Sequence, residues 1–204
     1  MDTIPIYIIN LDRRPDRWEN TKNQMKIFND NYIRFSAVDT NNTIGCALSY
    51  YKLLEEHKDI DYIMILQDDV QFLDYSKEVF SNTLKEVPND WDVILSGVHY
   101  GKYRSKITSN VVELSDFSGL QMAIIKPRIL PLLKKWNKQG GFDRFFREFT
   151  NDNLIKIYCI LPFCSIQNDG YSDLRKKDTT DYELFKKSEV ILSDAIGHNS
   201  IYKL

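Results

Sequence analysis

Two adjacent carboxylates, Asp68 and Asp69, follow directly on the unbroken apolar run Ile63, Met64, Ile65 and Leu66 in the stretch YIMILQDDVQF (62–72). Neighbouring carboxylates repel each other, and a divalent cation neutralises both; hard oxygen donors of this type suit Mg²⁺ or Mn²⁺. The alternative is an ordinary polar turn, since Asp is a common turn former. A short, β-branched run that ends on Asp has the pattern of a strand buried on both faces in a parallel sheet. The carboxyl end of such a strand is where open α/β sheets hold ligands. A basic cluster, Arg13, Arg14 and Arg17, follows the strand-like IPIYIINL (4–11) in the same way. There it could meet a phosphate, or form a solvated helix start.

The elements that must position these groups can be read from hydrophobic periodicity. Pro15 marks the first turn of a helix over Asp16 to Asn29, with Trp18, Thr21, Met25 and Phe28 on one face. YIRFSAV (32–38) reads as a strand, followed by the turn residues Asp39, Asn41 and Asn42. GCALSYYKLLEEH (45–57) carries Cys46, Tyr50, Leu53 and Leu54 as a helical core stripe, and His57 reads as a helix-end cap. A third helix is expected over Tyr75 to Val87, with Val79, Thr83, Leu84 and Val87 inward, and WDVILSG from Trp91 is a further strand. The basic, aromatic HYGKYRSKITSN (99–110) reads as a mobile loop over a site or as plain surface. Val111 to Leu114 and Leu120 to Ile125 are strand-like. Pro127 starts a helix that Pro131 distorts and Gly140-Gly141 ends. Asp143 then stands in GFDRFFREF, IYCILPF from Ile157 is a last strand, and one helix with a frayed end containing His198 closes the chain. Alternating strands and helices predict an α/β fold with a mostly parallel sheet.

Length and composition bound the rest. The 204 residues are 43% hydrophobic and 13% aromatic with no compositional break, so one domain over residues 1–204 is expected. A formal net charge of -2 gives no electrostatic case for nucleic acid or an anionic membrane surface. The opening MDTIPIYIINLDRR reads as lacking a basic leader or cleavage site, and no stretch approaches a membrane span, so a cytoplasmic location is expected. Three cysteines, Cys46, Cys159 and Cys164, fit core thiols better than a disulfide or zinc framework.

Four stretches together resemble glycosyltransferase family 25, the group that includes bacterial lipooligosaccharide and collagen galactosyltransferases. They are YIINLDRRPDRW, GCALSYYKLLEE, QDDV with WDVILSG after it, and Gln167 with GYSDLRK, in the family's order from Tyr7 to Arg175. The resemblance implies a GT-A fold with a Rossmann-like nucleotide-sugar half and an acidic DxD-like motif that holds Mn²⁺ (or Mg²⁺) against the pyrophosphate of a UDP-sugar. UDP-galactose and UDP-glucose lead as donors, and a glycan, lipooligosaccharide or hydroxylysine-type protein is the acceptor. The family inverts at the anomeric carbon, so a carboxylate takes the acceptor proton; by order and type Asp143 is the first choice and Asp152 the second. Asn10, Arg13, Arg17 and Asp39 are implied for the nucleotide pocket, and Ser49 and Lys52 for the donor side. Asp69 is implied as a direct metal ligand, Asp68 as a ligand or a ribose contact, and Asp173 or His198 as a further ligand. Two positions depart from the family pattern: Gln67 stands where Glu is usual, and Tyr50 where His is usual.

A glycoside hydrolase needs two carboxyl groups facing each other across the scissile bond, which adjacent Asp68 and Asp69 cannot do. A non-catalytic module, in which changes such as Gln67 and Tyr50 have ended the chemistry, is the rival reading. Turnover of a UDP-sugar separates the two.

Overall fold

Alternate residues of the first strand, β1 (Ile6–Asn10), enter two different hydrophobic cores. Tyr7 and Ile9 face one and Ile6 and Ile8 the other, as the two-residue period of a strand requires. The structure, a computed structural model, describes residues 4–40, 43–136, 142–173 and 176–202. The expected turn residues Asn41 and Asn42 and the helix stop at Gly140-Gly141 lie outside the described residues.

Helix α1 (Pro15–Phe28) leads to β2 (Ile33–Ser36), α2 (Thr43–Glu56) to β3 (Ile63–Gln67), and α3 (Ser76–Thr83) to β5 (Val93–Leu95), with a short β4 (Val70–Phe72) before α3. The hairpin β6 (Tyr100–Lys106) and β7 (Val111–Ser118) follows, then β8 (Met122–Ile125), α4 (Leu130–Leu133), α5 (Phe142–Asn151) and β9 (Ile157–Ile160). The chain ends with β10 (Ser165–Gln167), β11 (Gly170–Ser172), β12 (Lys177–Thr179) and α6 (Tyr182–Ile196). Among the described residues the main sheet has eight strands in the order β2-β1-β3-β8-β5-β9-β7-β6. Strands β2, β1, β3, β5, β9 and β6 run one way, with β8 and β7 against them, so the sheet is mostly parallel in direction. Small antiparallel pairs, β4 with β10 and β11 with β12, stand apart from it.

Helices cover both faces. Met25 and Phe28 of α1 and Phe80 of α3 fill one core, where the Phe28 ring stacks on Phe72 at 4.3 Å. Tyr50, Leu53 and Leu54 of α2, Phe142, Phe146 and Phe149 of α5, and Phe185 and Leu192 of α6 fill the other. The α2 stripe is as the periodicity predicts, and His57 ends that helix with Nδ1 2.9 Å from the Leu53 carbonyl and Nε2 2.5 Å from the Tyr7 hydroxyl. In α3 the fully buried anchor is Phe80, which the periodicity reading passed over. Pro131 confines α4 to one turn after a 3₁₀ turn at Pro127–Ile129, because proline fits only the first turn of a helix.

One expectation is overturned. Residues 99–110 are not a loop over a site. Tyr100–Lys106 form β6, paired antiparallel with β7 at the edge of the sheet opposite β2, with α6 packed on it. Lys106 Nζ donates to the Ile196 carbonyl at the end of α6, and Arg104 to the Thr150 carbonyl at the end of α5. The basic and aromatic residues that suggested a loop are the outward face of an edge strand, where charge discourages pairing with another chain.

The start of α2 approaches the chain that leaves β2 without room to spare. A Cβ on Gly45 would lie 2.3 Å from the Val38 carbonyl oxygen and 2.7 Å from Thr40 Oγ1. Gly45→Ala must therefore move backbone, and is expected to lower unfolding stability by about 1–3 kcal/mol, the usual cost of overpacking. An unchanged urea midpoint would show that the contact yields freely.

Candidate active site at the carboxyl ends of β1, β2 and β3

Strands β1, β2 and β3 run parallel, and the chain leaves β1 to one side and later returns on the other, which opens a crevice beyond their carboxyl ends. A cavity of about 110 Å³ occupies it. Ile9, Leu11, Ala37 and Val38 give it an apolar side; Arg13, Arg17, Asp39, Asp68, Asp69 and Asp173 give it a charged side. Both clusters singled out in the sequence thus meet in one place, although they are more than fifty residues apart in the chain.

The acidic pair is tightly engaged. Asp68 Oδ2 accepts from Asn10 Nδ2 at 2.6 Å and Oδ1 from Arg17 Nη1 at 2.9 Å. Its side chain is only 10% exposed. Burial first, and then the charge of Asp69, push the Asp68 carboxyl above its ordinary range, against the pull of Arg17 and Asn10. Asp69 Oδ2 accepts from Gln167 Nε2 at 2.5 Å and lies 3.4 Å from Arg17 Nη1. Its Oδ1 is buried with no hydrogen-bond partner among the described residues. Asn10 does not line the cavity; it acts from behind, its Oδ1 accepting from Arg34 while its amide holds Asp68.

The β11–β12 hairpin is fastened across the start of α1. Asp173 accepts from Arg13 at 2.5 Å and also from Arg14, Arg13 bonds Asp39 at 2.8 Å, and Arg17 Nη2 donates to the Tyr171 carbonyl at 2.7 Å. Burial alone would raise the Asp173 carboxyl, but the two guanidinium groups hold it below the ordinary value.

The remaining candidates fall into two groups. Asp143 stands in the first turn of α5, accepting from the Gly119 amide at 3.2 Å; its charge is felt at Cys46, which lines the cavity, and at Tyr50. Burial, with Asp69, Asp143 and Asp68 nearby, pushes the Cys46 thiol up to about 12, so it stays protonated at neutral pH. Ser49 is fully buried and outside the cavity; it accepts from the Val38 amide at 2.8 Å and donates to the Gly45 carbonyl at 2.7 Å, pinning the cavity wall to α2. Lys52 lies on the outer surface of α2 beside Glu56 and the Phe35 ring. Asp152 is exposed beyond the last turn of α5, the end opposite Asp143. His198 follows the left-handed Gly197 at the end of α6, away from the cavity lining. Neither Asp173 nor His198 joins the acidic pair as a third ligand: among the described residues no group of three or more His, Cys, Asp or Glu side chains could hold a metal.

Gln67 and Tyr50, the two departures from the family pattern, touch each other. Gln67 Nε2 donates to Tyr50 Oη at 3.4 Å, and Tyr50 Oη donates to the Leu120 carbonyl at 2.5 Å. An uncharged pair therefore fills the corner beside Cys46. The sequence singles out Gln167 within the resemblance without a role, and the structure makes it a direct partner of Asp69. A lone glutamine carries no periodic signal that could have marked this contact.

The Asp173 contact has a defined pH dependence. Its folded value lies below the ordinary carboxylate value of about 3.9, so its stabilising contribution is complete above that value and is lost as pH falls through the folded value. At neutral pH, Asp173→Asn is expected to speed amide exchange in Gly170–Ser172 and Lys177–Thr179 while β1 and β3 stay protected. Equal hairpin protection in variant and parent would show that the arginines do not fasten it.

Comparison with known proteins follows the same lines. The inositol-1-phosphate CTP transferase from T. maritima superposes with a TM-score of 0.50 at 12% identity, over 90% of this chain and 76% of that one. A putative glucose-1-phosphate thymidylyltransferase from Bacillus anthracis, in complex with a sucrose, gives 0.50 at 9% identity, over 100% of this chain and 80% of that one. At such identities the likeness is one of fold, the GT-A-like α/β architecture. No curated protein sequence matches. The family model of glycosyltransferase family 25 (LPS biosynthesis protein) matches residues 40–124, a span that holds the α2 and QDDV stretches but neither the arginines of α1 nor Gln167. The resemblance read from the sequence is thus met in part by the family's own model: residues 40–124 are similar to glycosyltransferase family 25, and sugar transfer in general is what that match supports.

Proposed function

We propose that this protein is an inverting glycosyltransferase that moves a hexose, galactose or glucose, from a UDP-sugar to a hydroxyl of a glycan, lipooligosaccharide or hydroxylysine-type protein. The observation that carries the reading is the convergence of Asp68 and Asp69 with Arg13 and Arg17 on one cavity at the carboxyl ends of three parallel strands. The apolar side at Ile9, Leu11, Ala37 and Val38 suits a nucleobase, and the arginines at the start of α1 suit a diphosphate, which the helix N-terminus also favours.

The acidic pair fits a Mn²⁺ or Mg²⁺ ion. Its donors are hard oxygens, and Asp69 Oδ1 is buried without a partner. Two protein carboxylates are few ligands for such an ion, but Mg²⁺-type sites commonly complete their shell with substrate phosphates and water. When bound, the ion would act as a Lewis acid on the departing diphosphate. The chain's own residues do the rest. Arg13 and Arg17 orient the diphosphate, and Asn10 keeps Asp68 turned toward the cavity. Asp143 receives the proton of the acceptor hydroxyl as its oxygen bonds the anomeric carbon and the bond from that carbon to the phosphate oxygen breaks. Gln67, uncharged and bonded to the buried Tyr50 behind it, forms a neutral inner wall.

That neutral pair also supports a second reading, a sugar- or nucleotide-binding module without turnover. Incubation with UDP-galactose and UDP-glucose, with and without Mn²⁺, separates the two: release of UDP supports the enzyme, and binding without release supports the module.

Two variants probe the assignment from opposite sides. Asp69→Asn is expected to abolish Mn²⁺-dependent UDP binding in titration calorimetry while apo thermal unfolding stays close to the parent; unaltered metal-dependent binding would remove Asp69 from the site. Asp143→Asn is expected to keep UDP-sugar affinity and lose about 10²- to 10⁴-fold in transfer rate, the usual contribution of a positioned base. If Asp152→Asn has that effect instead, the acceptor side lies at the other end of α5.

A further inference from the structure

The carboxylates proposed to hold a divalent cation already hold a cation of the chain's own. Arg17 Nη1 donates to Asp68 Oδ1 at 2.9 Å and sits 3.4 Å from Asp69 Oδ2. Its Nη2 is spent on the Tyr171 carbonyl, and the side chain is only 19% exposed. Of the four oxygens of the pair, Asp68 Oδ2 is taken by Asn10, Asp69 Oδ2 also by Gln167, and only Asp69 Oδ1 is left without a partner among the described residues. One guanidinium therefore occupies the place, between two adjacent carboxylates, where a second positive charge would have to enter.

We infer that Arg17 is a built-in counterion that makes divalent-cation binding conditional on a nucleoside diphosphate. Arg17 offsets one of the two charges of the acidic pair, and a metal ion alone must displace it or share two carboxylates with it. Like charges this close repel strongly in a site screened from water. A diphosphate alone meets the opposite obstacle: Asp39, Asp68, Asp69 and Asp173 all line the cavity with it. When both arrive, the guanidinium transfers to phosphate oxygens, which match its planar fork as well as a carboxylate does. The pair is then released to the metal, whose charge offsets the phosphates. The ligands the protein lacks for a full coordination shell come from the same diphosphate. Cation and diphosphate thus bind cooperatively, and by thermodynamic linkage each raises the affinity of the other by the same factor. Arg17 is a positioning residue in this scheme. The inference rests on the donor-site reading of the cavity but does not follow from it, because shared ligation by the diphosphate would couple the two without Arg17, whereas a counterion requires that removing Arg17 tighten Mn²⁺ on its own.

The test is a binding measurement and needs no turnover. Free Mn²⁺ is followed by electron paramagnetic resonance during titration of the full chain, alone and with saturating UDP, and UDP is followed by calorimetry with and without Mn²⁺. In the parent protein UDP is expected to tighten Mn²⁺ by at least about tenfold, within the usual range of such couplings. Arg17→Met is expected to bind Mn²⁺ alone about tenfold more tightly than the parent, to bind UDP more weakly, and to lose most of the coupling. Arg17→Lys, which keeps the charge but not the fork, is expected to fall between the two, and it serves if the methionine variant does not fold by circular dichroism. Parent protein that binds Mn²⁺ equally well with and without UDP overturns the inference without any variant. Coupling that survives intact in Arg17→Met or Arg17→Lys overturns it too, and leaves the donor-site reading standing. If the parent binds neither UDP nor Mn²⁺ in the millimolar range, the donor-site reading fails and takes the inference with it.

Discussion

A carboxylate withdrawn from water at the tip of a parallel strand must be balanced, and the balance of Asp68 organises the functional end of this fold. Its partners come from β1, through Asn10, and from the first turn of α1, through Arg17. Removing one member of a buried charged contact leaves the other uncompensated, at a cost of about 3–5 kcal/mol. The strand order β2-β1-β3 is what makes the pairing available, because β1 lies between its two parallel neighbours and delivers Asn10 and the arginines beside Gln67 and Asp68. By contrast, the Arg13–Asp39 pair, with side chains 44% and 37% exposed, contributes little to stability and is available to exchange partners.

The cavity wall depends on close backbone approach more than on charge. Gly45 lets the start of α2 meet Val38 and Thr40, and Ser49, one turn later, ties the Val38 amide to the Gly45 carbonyl. The inner wall is set by the relay from Gln67 through Tyr50 to the Leu120 carbonyl, which joins α2, the end of β3 and the approach to β8. Phe142 packs on Tyr50 at 5.7 Å, so the same aromatic contact that anchors α5 in the core brings Asp143 to this corner. Core packing and site geometry are one arrangement here: the apolar face of α5, Phe142, Phe146 and Phe149, fixes where its first carboxylate stands.

The opposite edge of the sheet has another task. The β6–β7 hairpin, covered by α6 and tied to α5 by Arg104, closes the second core far from β2. None of the described helices is long and apolar enough to cross a membrane. The charged, aromatic outer face of β6 is the kind of edge that resists pairing with a neighbouring chain.

Much of this was legible in the sequence because it is written in local periods. The buried strand before Asp68, the α2 stripe of Tyr50, Leu53 and Leu54, and the helix start at Pro15 each need only their own neighbours to be recognised. The acidic pair was legible for the same reason, being adjacent in the chain, and so was the basic cluster. What the sequence could not supply was which distant groups meet. That Arg17 bridges Asp68 and Asp69, that Asp173 binds Arg13 and Arg14 rather than joining a metal set, and that Gln167 reaches Asp69 depend on strand order and on a small hairpin with no periodic signature. Residues 99–110 show the limit from the other side. A short polar strand at a sheet edge has the composition of a loop, and only its pairing with β7 decides that it is a strand. Local spacing determined the elements and the chemistry at their ends, whereas the partners of each charge were decided by tertiary structure, because long-range contacts are fixed by the packing of the whole sheet.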